Sequence, residues 1–463
     1  MKKDFFFGKK VTLMGLGLLG RGLGDAIFLA EHGADLTVTD LRDEKTLAPS
    51  LAKLKKYKNI HYTLGGHNLE DFRNRDFIVK AAGVALDSPY IAEAVKNKIP
   101  VEMDASLFAK LMPKGVTLVG VTGTRGKSTT TALVYELVKS FKLKVKSSGK
   151  VYKGGNLVPE ATLPLLEKVK AGDIVVLELD SWQLQGFHDA KISPQVAVFT
   201  TFLDDHLIYY KGDTDRYFED KVAIFRYQKP GNLLVTGEPV AKLIGKSELP
   251  VTGDVVVATK DDVPKEWKIQ VPGDHNLENI ACALQVAGHF KIPLDAVKKA
   301  VEGFKGVPGR LEFIREVNGV KMYNDTNATT PDATLAGLRA LGGEYRIGNR
   351  EYRKEKKIIL ILGGTDKGLD MGKLVAEIPK YCKGVVFLKE TGTEKLISNF
   401  QFPISNQFPI FKKETLKECV QEAMKLAQDG DIILFSPAFA SFGKWFKNEY
   451  DRGEQFVNLV QKL

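Results

Sequence analysis

The sequence predicts an α/β protein of three domains, and three observations carry that expectation. Apolar, β-rich runs alternate with amphipathic stretches along the chain, the pattern of strands joined by crossover helices. Several of those runs are continuous rather than alternating, Ile174-Val175-Val176-Leu177 among them, as in parallel strands buried on both faces. Twice a strand runs straight into a glycine turn that opens a helix, once near Gly15–Gly20 and again at Gly123–Gly126. With 463 residues the chain exceeds what one hydrophobic core covers. The expected division is a Rossmann-like N-terminal domain over residues 1–112, a central P-loop ATPase-like domain over 113–306 and a C-terminal Rossmann-like α/β domain over 307–463.

In the first domain the strand Lys10–Met14 leads into Gly15-Leu16-Gly17-Leu18-Leu19-Gly20, a literal G-x-G-x-x-G, and Asp40 closes the next strand, LTVTD. The glycines report a tight turn and a close backbone approach, so NAD and any other nucleotide diphosphate satisfy them equally. Strands at 76–84 and 99–103, with helices at 88–97 and up to Met112, complete the module.

The central domain opens on the apolar run Val116–Val121, then Gly123-Thr124-Arg125-Gly126-Lys127-Ser128-Thr129, then a helical pattern. Backbone N–H groups at such a helix start point at an anion, and the helix dipole adds positive potential. Lys127 neutralises β/γ-phosphate charge there, and the Ser128 hydroxyl suits Mg²⁺, so the stretch reads as an ATP site. The match to a P-loop is not literal, because Val121 stands where the first glycine would be.

A strand over 173–184 carries Glu178 at the end of its apolar run, where open α/β sheets place their ligands. The next strand, 194–202, ends in Leu203-Asp204-Asp205-His206, and a helical stretch carrying Lys221 follows. A carboxylate and an imidazole beside a phosphate loop make a candidate Mg²⁺ site. On spacing alone His206 is equally a loop histidine, and Lys221 a surface lysine. Residues 231–271 read as strand-rich (NLLVTG, DVVVAT, WKIQV). His275 and Asn276 then open a helix with Asn279 one turn on; their amides suit a purine edge, and helix capping by Asn276 is the plain alternative.

The third domain begins after the linker Gly306-Val307-Pro308-Gly309-Arg310 and alternates again. Its strands end at Tyr323, at KKIILILGG (356–364), at GVVFL (384–388) and at DIILFS (431–436), with a helix over 414–428. Two segments read as insertions: 344–357, charged enough for a solvated loop, and 397–410, which contains a near-duplicate of ISNxQFPI.

Net charge is +10, but the lysines are scattered and no RNP-like, zinc-finger or basic-zipper pattern occurs, so no nucleic-acid partner is expected. A basic surplus suits phosphate and carboxylate substrates. The three cysteines, far apart in sequence, read as buried reduced thiols. No apolar run approaches the roughly 18 residues a membrane span needs, and MKKDFFFGKK lacks an apolar signal core. A cytoplasmic location without membrane contact is expected.

The motifs GTRGKSTTT, ELDSWQL, DDHL followed by Lys221, GDHNLEN, PGRLE, NDTNATTPDAT, LGGTDKG and SPAFASF with RGEQF resemble the Mur ligase family over the whole chain. The resemblance implies an ADP-forming amide ligase of peptidoglycan precursor synthesis, hence of cell wall biogenesis, cell shape and cell division. It points to the branch that adds D-glutamate to UDP-N-acetylmuramoyl-L-alanine through an acyl phosphate, acting as a monomer on small molecules alone. The N-terminal domain would then hold UDP rather than NAD: Gly17, Leu18 and Leu19 at the diphosphate, Asp40 and Arg42 at uracil, Gly83 on the adjacent loop and Asn156 at the muramoyl group. ATP would fall to Gly123, Thr124, Arg125, Gly126, Lys127, Ser128, Thr129, Asn276, Asn279, Arg310 and Asp325. Mg²⁺ would be held by Ser128, Glu178, His206 and Lys221, the last carbamylated by CO₂, and catalysis would rest on Lys127, Glu178, His206 and Lys221. Thr329, Lys367, Ser441 and Phe442 correspond to the amino-acid pocket. Two positions depart from the family pattern, Asn327 in place of a lysine and Gly443 in place of an aspartate. They bear on which amino acid is added, and keep a sister ligase or a catalytically altered nucleotide-binding homologue as alternatives.

Overall fold

The computed structural model describes residues 5–18, 20–85, 87–144, 149–157, 159–205, 207–247, 249–347, 350–353, 357–399, 408–441 and 445–463. The chain forms two compact units: residues 1–267 with 278–301, and residues 268–277 with 302–463.

The first unit holds two parallel sheets. One is built from β1 (Lys10–Met14), β2 (Asp35–Asp40), β3 (Ile60–Leu64), β4 (Phe77–Lys80) and β5 (Val101–Glu102), in the order β3-β2-β1-β4-β5. The strand order reverses at β1, so the Gly15–Gly20 turn opens on the crevice where such sheets bind ligands. The other contains β6 (Thr117–Thr122), β7 (Val151–Gly155), β8 (Ile174–Glu178), β9 (Val196–Phe199), β10 (Leu233–Gly237) and β11 (Asp254–Ala258), ordered β11-β10-β9-β6-β8-β7. Register pairs Val121 with Glu178, Gly155 with Glu178, and Thr122 with Phe199. The strand ends that carry the central motifs are therefore neighbours. Every residue of Ile174–Glu178 is buried, as the continuous apolar run requires. One apolar core spans both sheets: Leu36 and Val38 of β2 share it with Val175 and Leu177 of β8.

The second unit is built on β12 (Glu312–Val317), β13 (Val320–Asn324), β16 (Ile358–Leu362), β17 (Cys382–Leu388), β18 (Ile410–Lys413) and β19 (Ile432–Phe435), with β14 (Glu344–Ile347) and β15 (Arg350–Arg353) forming a separate antiparallel hairpin. The order is β12-β13-β19-β16-β17-β18; only the β12–β13 pair is antiparallel. Helices pack on both faces, one apolar cluster centred on Leu360 and Phe387 and the other on Ile359 and Phe456.

Three expectations need correction. The strand over 173–184 stops at Glu178, because Asp180 caps the helix Ser181–Ala190: its carboxylate accepts from Gln183 N at 2.7 Å while Gln183 bonds back to Asp180 N. WKIQV is not a strand, although it alternates; its Lys268 N–H and Gln270 amide bond to Glu302 instead of to a neighbouring strand. The charged segment 344–357 is not a plain loop but contains the β14–β15 hairpin, with Ile347 opposite Arg350. Most of the duplicated 397–410 stretch lies outside the described residues. Cys282, Cys382 and Cys419 are free thiols, all buried, as expected. Among the described residues no helix is long and apolar enough to cross a membrane.

Candidate active site

The turn after β6 is shaped by two glycines that tolerate no side chain. Gly123 (φ +146°) and Gly126 (φ +85°) lie in backbone regions that favour glycine, and a Cβ on them would overlap Thr200 Oγ1 and Asn279 Oδ1 respectively. The turn is tied to the end of β9: Thr124 N donates to Thr201 O at 2.7 Å, and Arg125 N donates to Thr201 Oγ1 at 2.8 Å. Leu203 N donates to Thr124 Oγ1 at 2.9 Å, and Arg125 pairs with Asp205 at 3.0 Å. The helix Lys127–Lys144 then starts with no acid in its first turn, leaving its positive end uncompensated. Lys127 arches over the turn, its Nζ donating to Gly123 O at 2.7 Å and Thr124 O at 3.1 Å, while Ser128 and Thr129 are buried beneath it.

Lys221 meets this turn, and Glu178 ends the strand beside β6. Glu178 is buried, and its Oε2 has no hydrogen-bond partner among the described residues. A buried carboxylate oxygen without a partner is costly. Lys221, on the helix Thr214–Val222, is 1 % exposed rather than on the surface, and its Nζ donates to the same Gly123 carbonyl at 3.1 Å. Burial, and then the adjacent Lys127 charge, hold its ammonium well below the usual lysine range. His206 lies outside the described residues, and among those described no group of three or more His, Cys, Asp or Glu side chains forms a metal cluster.

At the other glycine turn Asp40 is buried and faces its own loop. Its Oδ2 accepts from Gly17 N at 2.9 Å, and its Oδ1 accepts from Arg42 N at 2.9 Å and the Arg42 guanidinium at 3.3 Å. Leu18 is exposed, and Leu19 lies outside the described residues. Gly83 faces Trp182, whose ring a Cβ there would meet at 3.9 Å. Asn156, following β7, donates its N–H to Glu178 O at 2.8 Å and its side-chain amide to Asp180 at 2.8 Å, and it accepts from Arg21 through its carbonyl oxygens. The muramoyl candidate thus sits one strand from the phosphate turn.

Asn279 is buried against Gly126 and Thr130 Oγ1, the latter at 3.4 Å. Asn276 is not the N-cap residue; it lies inside the helix Asp274–His289, and its amide reaches back to Pro272 O at 2.7 Å.

In the second unit Asp325 follows β13, buried, accepting from Leu311 N at 3.0 Å and Ser436 Oγ at 2.8 Å. Burial pushes its carboxyl up to about 7. Arg310, exposed one residue before Leu311, pulls the other way. Lys367 Nζ donates to Thr329 Oγ1 at 3.1 Å, and Ser441 is buried and donates to Glu449 at 3.3 Å. Phe442 and Gly443 lie outside the described residues. Asn327 is fastened to the linker, its N–H on Gly309 O and its amide on Pro308 O.

Sequence reasoning passed over Arg21, Lys80 and Asp180. Lys80 closes the buried run Phe77–Lys80 just as Glu178 closes Ile174–Glu178, so the same signal was there to be read. Burial brings its ammonium down to about 8 against the pull of Asp180, Asp189 and Asp220. Arg21 and Asp180 grip Asn156 from two sides, a pairing visible only once the sheets are assembled.

Comparison with known proteins agrees with this arrangement. Residues 9–102 match the MurD-like N-terminal domain of Mur ligases, 121–247 the Mur ligase middle domain, and 309–439 the Mur ligase glutamate ligase domain. The chain is 34% identical to the UDP-N-acetylmuramoylalanine–D-glutamate ligase of Roseiflexus sp. (strain RS-1), covering 98% of this chain and 99% of that protein. It is 33% identical to the enzyme of the same name from Borreliella burgdorferi (strain ZS7), covering 97% of each. Among solved structures, the UDP-N-acetylmuramate–alanine ligase of Thermotoga maritima shares the fold at TM-score 0.61 and 22% identity, covering 98% of this chain and 99% of that one. The MurF ligase of Thermotoga maritima, solved in complex with ADP, aligns at TM-score 0.55 and 21% identity over 85% of this chain and 96% of its own. The chain belongs to the Mur ligase family.

Proposed function

We propose that this protein is an ATP-dependent ligase that joins D-glutamate to UDP-N-acetylmuramoyl-L-alanine, releasing ADP and phosphate, in the synthesis of peptidoglycan precursors. The observation that carries this reading is full-length kinship with D-glutamate ligases in a chain whose phosphate turn carries Lys127 beside the strand that ends in the buried Glu178.

The chemistry follows from the groups present. A carboxylate resists attack by an amine because its charge repels the nucleophile and its oxygen is a poor leaving group. The substrate carboxylate therefore attacks the γ-phosphorus; the bond to the β–γ bridging oxygen breaks and an acyl phosphate forms. The amine of the incoming amino acid, having lost its proton, adds to the acyl carbon, and phosphate leaves as the amide forms. Lys127 and the helix N-terminus spread the charge that develops on the transferring group. Gly123, Thr124, Arg125, Gly126 and Thr129 shape the cradle, and Asn276, Asn279, Arg310 and Asp325 complete the nucleotide contacts.

Ser128, Glu178, His206 and Lys221 would hold Mg²⁺, and the residues described here fit one: Glu178 Oε2 is a buried oxygen awaiting a partner, and Ser128 is a buried hydroxyl. When bound, Mg²⁺ supplies positive charge to the phosphate oxygens. Lys221 serves that site as a carbamate, formed when its amine attacks CO₂ and loses a proton; its burial beside Lys127 favours an anion there over a second cation. Gly17, Leu18, Leu19, Asp40, Arg42, Gly83 and Asn156 take the UDP-muramoyl substrate, and Thr329, Lys367, Ser441 and Phe442 the amino acid. The protein acts as a cytoplasmic monomer of three domains, 1–112, 113–306 and 307–463.

The test is phosphate release and product mass from ATP and UDP-N-acetylmuramoyl-L-alanine, with D-glutamate, L-glutamate, D-aspartate, L-lysine and meso-diaminopimelate offered in turn. Turnover with D-glutamate alone is expected. Turnover with another amino acid only would move the protein to a sister ligase, and none with any would overturn the reading.

A further inference from the structure

Among the described residues Arg452 is the largest side chain that the fold buries completely, with 0 % exposure. A cation so buried is normally matched by a carboxylate, since desolvation costs several kcal/mol per ion. Arg452 has none within ion-pair distance among the described residues. Its Nε donates to Thr326 Oγ1 at 3.1 Å, one terminal nitrogen to Thr326 O at 2.7 Å, and the other to Phe439 O at 3.3 Å and Ala440 O at 3.2 Å. All four acceptors are neutral. Burial lowers its proton affinity, to about 10, and Glu449 is the charged group that offsets this. At neutral pH the guanidinium remains a cation.

Its location gives that charge a purpose. Strands β13, β19 and β16 are adjacent, and the loops beyond their C-terminal ends are 325–330, 436–441 and 363–368. Arg452 fastens the first two together, and the third is joined to the second by backbone bonds between Thr365 and Ala440 at 3.0 and 3.2 Å. A Cβ at Gly364 would meet the Arg452 guanidinium at 3.4 Å. Thr329, Ser441 and Lys367, the proposed amino-acid residues, sit one on each loop.

We propose that Arg452 is a positioning residue of the amino-acid subsite: it pins two strand-end loops together, the third being tied to them by backbone, and gives the subsite a fixed positive charge that favours an amino acid carrying two carboxylates. The inference rests on the proposed function. Arg452 does not touch the amino acid. It acts through the loops it holds and through its field, which water screens little at such depth.

Steady-state kinetics of the full chain, with ATP and UDP-N-acetylmuramoyl-L-alanine saturating, test this with Arg452→Met, Arg452→Lys and Glu449→Gln. Arg452→Met should raise the KM for D-glutamate by about 50-fold or more while the KM values of the other two substrates stay within about twofold. Arg452→Lys, which keeps the charge but reaches fewer of the four acceptors, should have a KM at least about fivefold below that of the Met variant. Glu449→Gln still offers Ser441 an acceptor but removes the offsetting carboxylate, and should lower the KM for D-glutamate by about two- to threefold. A Met variant that melts like wild type and keeps its D-glutamate KM would overturn the inference. So would a Lys variant as impaired as Met, or an unchanged or raised KM in Glu449→Gln, the latter readable even if the Met variant does not fold. Wild-type turnover with a dicarboxylic amino acid other than D-glutamate would sink the proposed substrate but not this inference; turnover with a monocarboxylic one would sink both.

Discussion

The first unit contains two glycine turns built alike and equipped differently. Both follow the strand at which their sheet's order reverses, and both open a helix. The turn after β1 has leucines between its glycines in sequence, and one of its N–H groups, that of Gly17, is already bonded to Asp40. The turn after β6 is followed by Lys127, Ser128 and Thr129; Lys221 bonds to its Gly123 carbonyl, and Glu178 ends the neighbouring strand. A glycine turn alone supplies shape and a few backbone donors, enough to hold a diphosphate that does not react. Moving a phosphoryl group needs charge that can be matched during transfer; the second turn carries the Lys127 and Lys221 amines on one carbonyl, whereas at the first the Arg42 and Arg21 guanidinium groups are paired with Asp40 and Asn156. On the proposed function, that difference separates binding from chemistry on one scaffold.

The comparison breaks most visibly if its cation is removed. Lys127→Ala should lower phosphate release by about 10²–10³-fold or more with the fold intact by circular dichroism, the usual size of a lost preorganised group. Retention of most of the activity would make the two turns equivalent. Lys221→Ala should cost about 10²-fold, and acetate or formate should restore part of it by replacing the missing carboxylate, whereas Lys221→Arg should stay inactive. An active arginine variant would show that the site uses positive charge at that position. Glu178→Gln should raise the Mg²⁺ concentration for half-maximal activity by about tenfold; an unchanged Mg²⁺ dependence would remove Glu178 from the metal site. The smallest effect belongs to the first turn: Arg42→Ala should raise the KM for the UDP substrate by about tenfold, a lost charge-assisted contact, and leave that for ATP alone. A change in ATP affinity instead would reverse the assignment of the two turns.

The sheets were legible because their strands announce themselves: Ile174–Leu177 and Ile358–Leu362 are apolar throughout and buried throughout. Glu178 was legible for the same reason, as a charge terminating such a run. WKIQV misled because alternation records which side chains are buried, not whether a strand edge is there to pair with the backbone. Lys221 could not be read from its own helix, whose polar composition suits the surface; its burial comes from the turn and the strand ends that close over it. Arg21 and Arg452 were invisible for a related reason. Each has a partner more than a hundred positions away, Asn156 for Arg21 and Thr326 for Arg452, and no local pattern encodes such a partner.

The three cysteines, all buried, make the protein a convenient subject for spectroscopy. Burial pushes the thiols of Cys282 and Cys419 up to about 12, so at neutral pH almost none of either is the reactive thiolate. A maleimide dye would therefore pass over the native thiols and modify a cysteine introduced at an exposed position. Dyes placed in this way would report on the chosen position during turnover, without first stripping the protein of its own sulfur.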